Sequence, residues 1–320
     1  MNILLTGAYQ YTDVQLDKLS SLGKITFIKD ERVPLTLNMS KFHIVVCNSL
    51  FLYNDIEKFT NLKFIQLTSA GLDRIPLDYI KKHNIVVASA KGVYSIPIAE
   101  WVILKILEIY KKSTFFFEAQ NEKQWSKNRD ILELTGKTAM VVGFGSIGSE
   151  IAKRLKAFDV NVIGVGRKKV KSEFIDETYL IDDLEYALEK SDITILTLPL
   201  TRQTHHLFNR DKLSKMKKNS VLINVSRGSI IDEIALVESL ENDKFLGVAL
   251  DVFEQEPLPK NNQLWDSKKV IITPHNSFVS DRVNERLFNT IYRGLDQQIK
   301  ALNLELRGHS NESIDNITEK

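Results

Sequence analysis

The stretch Gly143-Phe144-Gly145-Ser146-Ile147-Gly148 constrains this chain more than any other. G-x-G-x-x-G alone is a weak pattern, but here its surroundings are specific. An apolar run, 139–142, leads directly into it. A helical pattern follows, with Ile151, Leu155 and Phe158 at i, i+4 and i+7, and then a second apolar run, 160–165. That order predicts a strand–turn–helix–strand unit. In such a unit Gly143 permits the tight turn, Gly145 lets the backbone approach a pyrophosphate, and Gly148 lets helix pack on strand. The helix start, at Ser146 and Ile147, offers N–H groups and partial positive charge to phosphate oxygens. Gly143, Gly145, Ser146, Ile147 and Gly148 are therefore candidate dinucleotide-binding residues.

The second strand of an NAD site usually ends in Asp or Glu, about 20 residues on, which holds the ribose 2′-hydroxyl. Here that place reads Gly164-Val165-Gly166-Arg167-Lys168-Lys169. A carboxylate would repel a 2′-phosphate, whereas Arg167 and Lys168 attract one. The expectation is a preference for NADP over NAD.

Short apolar runs alternate with helical patterns along the rest of the chain. Strands are predicted at 2–5, 24–27, 44–47, 64–67 and 85–87, with helices such as 14–22 and 55–59 between them. A long helix is predicted from about 98 to 122, on Ala99, Val102, Ile103, Ile106 and Leu107, with Pro97 near its start. Segment 124–133 breaks the pattern. A second series follows, at 138–142, 161–165, 193–196, 221–224, 246–250 and 270–273. A helix at 285–302 is expected to cross back to the first domain, and the polar segment 309–320 to fray. The expected fold class is α/β: two Rossmann-like or flavodoxin-like parallel-sheet domains with the active site in the cleft between them. The expected limits are 1–98 plus 286–320 for a substrate domain and 99–285 for the dinucleotide domain.

Composition narrows the function classes. The chain has 320 residues, 43% of them hydrophobic, enough for two domain cores. Its formal charge of +2 gives no basic surface for nucleic acid or membrane. No run approaches the roughly 18 apolar residues that span a bilayer. The N-terminus reads as a first strand and lacks the basic and apolar regions of a secretory signal. The single cysteine, Cys47, rules out an intrachain disulfide and lies in an apolar run, as a buried thiol would. The expected location is the cytoplasm. His205 and His206 are adjacent and point apart on a regular element, and there is no cysteine cluster or H-E-x-x-H, so no metal site is expected. Phe115, Phe116 and Phe117 are expected at a domain or subunit junction.

Three late strands end in reactive groups. One runs into Arg227, the next into Asp251, Glu254 and Glu256, the last into His275. In a parallel sheet all three ends lie on the rim where ligands bind. A cation holds a carboxylate or polarises a carbonyl, a histidine moves the proton of a hydroxyl, and a neighbouring carboxylate fixes the imidazole. Beside a dinucleotide, that set suits interconversion of a carbinol and a carbonyl.

The stretches Asn224-Val225-Ser226-Arg227-Gly228-Ser229-Ile230-Ile231-Asp232-Glu233, Leu250-Asp251-Val252-Phe253-Glu254-Gln255-Glu256-Pro257-Leu258-Pro259 and Thr273-Pro274-His275-Asn276 closely resemble signatures of the D-2-hydroxyacid dehydrogenases, a family that includes glyoxylate/hydroxypyruvate reductases and phosphoglycerate dehydrogenases. The resemblance implies Arg227, Glu256 and His275 as the catalytic set, Glu256 being preferred over Glu254 because it directly precedes the proline. It implies contacts of Asp251 with the nicotinamide carboxamide, and of Pro199, Thr204 and Val225 with the cofactor. It implies that the amides of Ser69, Ala70 and Gly71 bind the carboxylate of a small 2-oxo or 2-hydroxy acid, with Arg227 and His275. Residues 91–100 resemble the family's hinge, and a homodimer built on the cofactor domain is implied. Two departures bear on the substrate pocket: Asn276-Ser277-Phe278 after the histidine, and Arg74 after Asp73. Some relatives are corepressors, and formate dehydrogenases replace the catalytic glutamate by glutamine; the Arg/Glu/His set is intact here, and Glu256 is a carboxylate.

Overall fold

Consecutive parallel strands need crossovers of a dozen residues or more, and the spacing of apolar runs in both halves of the chain supplies them. The computed structural model describes the backbone of residues 1–315 and the side chains of residues 1–304. The chain divides into two units, Met1–Val93 with the segment from Asp281 onward, and Tyr94–Ser280.

The first unit contains β1 (Asn2–Thr6), α1 (Asp13–Ser20), β2 (Lys24–Ile28), β3 (Ile44–Cys47), α2 (Leu50–Tyr53), β4 (Phe64–Leu67), α3 (Leu77–Lys82) and β5 (Val86–Ala88). They form a five-stranded parallel sheet in the order β2-β1-β3-β4-β5. β3 and β4 are buried throughout, as befits the interior of a sheet covered on both faces. Thr12 and Gln15 close a reciprocal capping box at the start of α1. Segment 55–59 forms only a short 3-10 turn, Ile56–Lys58, because Phe59 leaves helical geometry. The C-terminal helix, Val283–Asp315, belongs to this unit and lies on β4, where Gly294 faces the Gln66 side chain so closely that a Cβ would sit 2.3 Å from Oε1. No proline interrupts 283–315, and the backbone expected to fray from 309 is helical through Asp315. The remainder of that expected tail, 316–320, lies outside the described residues.

The second unit opens with α4 (Ser95–Tyr110) and α5 (Ser113–Asn121). The single long helix expected there is broken at Lys112, which adopts a left-handed conformation with φ 52°. Then come β6 (Thr138–Val142), α6 (Ser146–Lys156), β7 (Asn161–Gly166), β8 (Glu177–Leu180), α7 (Leu184–Lys190), β9 (Ile193–Leu196), α8 (Arg210–Lys215), β10 (Ser220–Asn224), α9 (Glu233–Glu241), β11 (Phe245–Leu250) and β12 (Val270–Ile272). All seven strands are parallel, in the order β12-β11-β10-β9-β6-β7-β8. Counted from β6, this is the Rossmann order with one further strand, β12, at the edge. β8 escapes a pattern-based reading because this edge strand is only half buried. Phe158 falls beyond the end of α6 and is 37% exposed, so Ile151 and Leu155 carry the buried stripe without it. The strand order reverses between β6 and β9, and α6 starts at that switch point.

Candidate active site

The glycine turn has the form a phosphate cradle requires. Gly143 has φ +99°, and a Cβ there would lie 2.8 Å from the Leu198 nitrogen. Gly148 packs against the Gly143 carbonyl oxygen, 2.7 Å from where its Cβ would be. Gly145 differs: a Cβ there would meet nothing within 4 Å, so the backbone borders open space. α6 has no side-chain cap, and among the described residues the N–H groups of Ser146, Ile147 and Gly148 donate to no acceptor. Orphan amides at the start of an 11-residue helix, facing space kept open by glycine, fit a dinucleotide pyrophosphate. At the end of β7, Arg167, Lys168 and Lys169 are exposed and pair with no carboxylate among the described residues. Pro199 and Thr204 share one turn after β9: the Thr204 hydroxyl donates to the Pro199 carbonyl at 2.7 Å. Val225 is buried just past β10.

The ends of β11 and β12 hold a hydrogen-bonded pair. His275 Nδ1 lies 2.8 Å from Glu256 Oε2, and the Phe253 amide donates to Glu256 Oε1 at 3.1 Å. Burial raises the Glu256 pKa, but the hydrogen bond and charge of His275, the Phe253 amide and the Arg227 charge outweigh it and hold the carboxyl below its ordinary value. Arg227 ends the same rim on β10, its Nη1 donating to the Ser226 carbonyl at 2.7 Å. Both partners of the pair remain about one-third exposed, 34% for His275 and 38% for Glu256, so a small solute can reach them.

In the first unit, Ser69, Ala70 and Gly71 follow β4. The Ser69 hydroxyl donates to the Gly71 carbonyl at 3.0 Å, and the Ala90 amide donates to the Ser69 carbonyl at 2.9 Å. The three N–H groups of this turn donate to no acceptor among the described residues. Arg74 is tied to the loop after β3, its Nη1 donating to Ser49 Oγ at 3.3 Å.

Residues 103–277 match the family described as D-isomer specific 2-hydroxyacid dehydrogenase, NAD binding domain. The chain belongs to the D-isomer specific 2-hydroxyacid dehydrogenases. A glyoxylate reductase of Thermofilum pendens is 37% identical over 75% of this chain and 73% of its own length. A D-3-phosphoglycerate dehydrogenase of Methanocaldococcus jannaschii is 34% identical over 82% of this chain, which spans only 49% of that longer protein. Among solved structures, D-lactate dehydrogenase from Aquifex aeolicus, complexed with NAD and lactic acid, superimposes with a TM-score of 0.78 at 27% identity, covering 96% of this chain and 98% of that one.

Three residues of this dehydrogenase shape the site in ways that sequence reading missed. Asp251 is 1% exposed, and its carboxylate gathers the Thr273 hydroxyl and the Asn276 and Ser277 amides. It thereby fixes the turn that carries His275, whose own amide donates to the Asp251 and Thr273 carbonyls. His275 needs that support, since its φ of 50° lies in the left-handed region. Asn224, fully buried, accepts from the Ser226 amide and hydroxyl and donates to the Arg227 carbonyl at 3.0 Å. Its signal in the sequence is an amide side chain closing an apolar strand. Gly228 faces the next loop so closely that a Cβ would lie 1.8 Å from the Phe253 carbonyl carbon. Of the two departures, Asn276 and Ser277 serve through backbone amides, and Phe278 meets the His275 ring edge-on, 6.1 Å between centroids.

Proposed function

We propose that this protein interconverts a small D-2-hydroxy acid and the corresponding 2-oxo acid with a nicotinamide dinucleotide. The observation that carries the reading is the Glu256–His275 pair at 2.8 Å on the strand-end rim that also bears Arg227. When bound, the dinucleotide supplies or accepts the hydride. Arg227 holds the substrate carboxylate and polarises the 2-oxo group, with the amides of Ser69, Ala70 and Gly71 as further carboxylate donors. Because Nδ1 of His275 is engaged by Glu256, Nε2 is the ring nitrogen that hands its proton to the growing alkoxide. Glu256 orients the ring and stabilises the imidazolium. In the oxidative direction the same nitrogen takes the proton back.

The cofactor is NADP in preference to NAD. Arg167 and Lys168 support this, being cations with no carboxylate partner among the described residues at the end of β7, where a ribose carboxylate would otherwise stand. The remaining cofactor contacts are Gly143, Gly145, Ser146, Ile147 and Gly148 at the pyrophosphate, Pro199, Thr204 and Val225 along the rim, and Asp251 at the carboxamide. The protein acts as a homodimer built on the second unit, where Phe117 is 64% exposed and Trp125 97%; large aromatics so exposed favour a protein partner. It works in the cytoplasm, consistent with its one cysteine being a free, buried thiol.

A reductase screen of glyoxylate, hydroxypyruvate, pyruvate and branched or aromatic 2-oxo acids, each with NADH and NADPH, tests the whole reading. Turnover of at least one acid with a higher kcat/KM for NADPH is expected. No turnover of any 2-oxo acid would overturn the activity; a clear preference for NADH would overturn the cofactor choice.

A further inference from the structure

His206 is one of two adjacent histidines to which the reaction above gives no role. It sits in the turn after β9 with φ 49°, a backbone conformation that glycine adopts freely and histidine does not. The strain is held by contacts to two other loops. Its amide donates to the Ser229 carbonyl at 2.8 Å. Its Nε2 pairs with Glu254 Oε1 at 2.8 Å. Ser229 is two residues past Arg227, and Glu254 is two residues before Glu256. The same two loops touch directly where Gly228 faces Phe253 and Glu254. Glu254 is fixed from a further side, its amide donating to Glu233 Oε1 at 2.6 Å while the Glu233 amide donates to Glu254 Oε1 at 3.3 Å. The His205 ring stacks on His206 at 4.0 Å and restricts its rotation.

We infer that His206 is a positioning residue: through Ser229 and Glu254 it sets the loop of Arg227 against the loop of Glu256. The inference rests on the reaction proposed above. A half-exposed side-chain hydrogen bond contributes only modestly to stability, so a strained histidine here serves geometry rather than folding. His206 also belongs to the turn that carries Pro199 and Thr204, which joins the proposed cofactor rim to the acid–base pair.

Two substitutions separate positioning from a merely structural role. His206→Gly removes the side chain and relieves the backbone. Its Tm should equal or exceed that of the parent while kcat on the best 2-oxo acid falls about tenfold, the KM for the dinucleotide moving much less. His206→Gln keeps a donor for Glu254 and should recover most of the lost kcat. If His206→Gly retains kcat within about twofold, or loses Tm and kcat together without recovery by His206→Gln, the inference is overturned. Amide exchange reads the geometry without turnover. The Phe253 N–H, bonded to Glu256, should exchange faster in His206→Gly, and unaltered exchange would overturn the inference even in a protein with no activity on 2-oxo acids.

Discussion

The end of β12 and the end of β7 are built in opposite ways. At β12 the His275 turn is held by a buried aspartate that accepts from the Asn276 and Ser277 amides, and its imidazole is held by a carboxylate with an amide of its own. At β7 three cations stand in solvent with no partner among the described residues. The first place is organised without any ligand; the second has no such internal support among the described residues. Substitutions at the first should therefore act on the chemical step, and at the second on the affinity for one cofactor.

The largest effect should come from His275→Ala. Loss of a positioned acid–base group costs about 10²–10⁴-fold in rate, so kcat should fall into that range. The dinucleotide Kd, read by fluorescence titration, should change little. A fall in cofactor affinity as large as the fall in kcat would break the contrast between the two ends.

Gly228→Ala should come next. The added methyl group would overlap the Phe253 carbonyl carbon, a backbone atom that cannot turn aside as a side chain can. Overpacking of this kind destabilises by about 1–3 kcal/mol, occasionally more. Thermal unfolding should show a lowered Tm, and kcat should fall as the Arg227 and Glu256 loops move apart. A variant with parental Tm and kcat would mean that the two loops slide freely, and the site would not be organised in advance.

The difference between the two ends also governs what the sequence discloses. Arg227, the acids from Asp251 to Glu256 and His275 follow apolar strands, and parallel topology sends such strand ends to one rim; resemblance to the family singles out Glu256. The glycine turn is legible for the same reason, since strand, turn and helix are contiguous. Contacts between loops distant in sequence are not legible. Gly228 reads as one glycine among 14, and only the fold reveals Phe253 beside it. His206 reads as half of an unremarkable pair until Glu254 is placed at its ring. Local conformation can mislead as well: the break after α4 is made by a left-handed lysine, Lys112, where a glycine would have announced it. β8, half buried at the edge of its sheet, lacks the apolar run that marks interior strands.

A smaller, more selective effect is expected at β7. Replacing Arg167 and Lys168 together by Ala should raise the KM for NADPH about tenfold, in line with the loss of charge-assisted hydrogen bonds worth roughly 1.5 kcal/mol or more. kcat and the KM for NADH should move far less. Equal loss with both cofactors would show that these cations act on the fold or on the pyrophosphate rather than on a 2′-phosphate.

The smallest expected effect is a pH dependence, and its sign follows from Glu256. The folded protein holds this carboxyl below its ordinary value, against the desolvation that raises it, through His275, the Phe253 amide and the Arg227 charge. A group whose pKa is lower in the folded state stabilises the fold above its unfolded pKa, and that contribution is lost as pH falls through the folded pKa. The window therefore lies below about pH 4.3, the ordinary glutamate value. Glu256→Gln has no such titration, so the Tm difference between parent and variant should shrink as pH drops through that window. Because Glu256 is 38% exposed, solvent screens the interaction and the shift will be modest. A difference that stays constant from neutral pH to pH 3 would show that the carboxylate's charge does not couple to the fold. His275 would then be organised by its backbone turn and Asp251 alone.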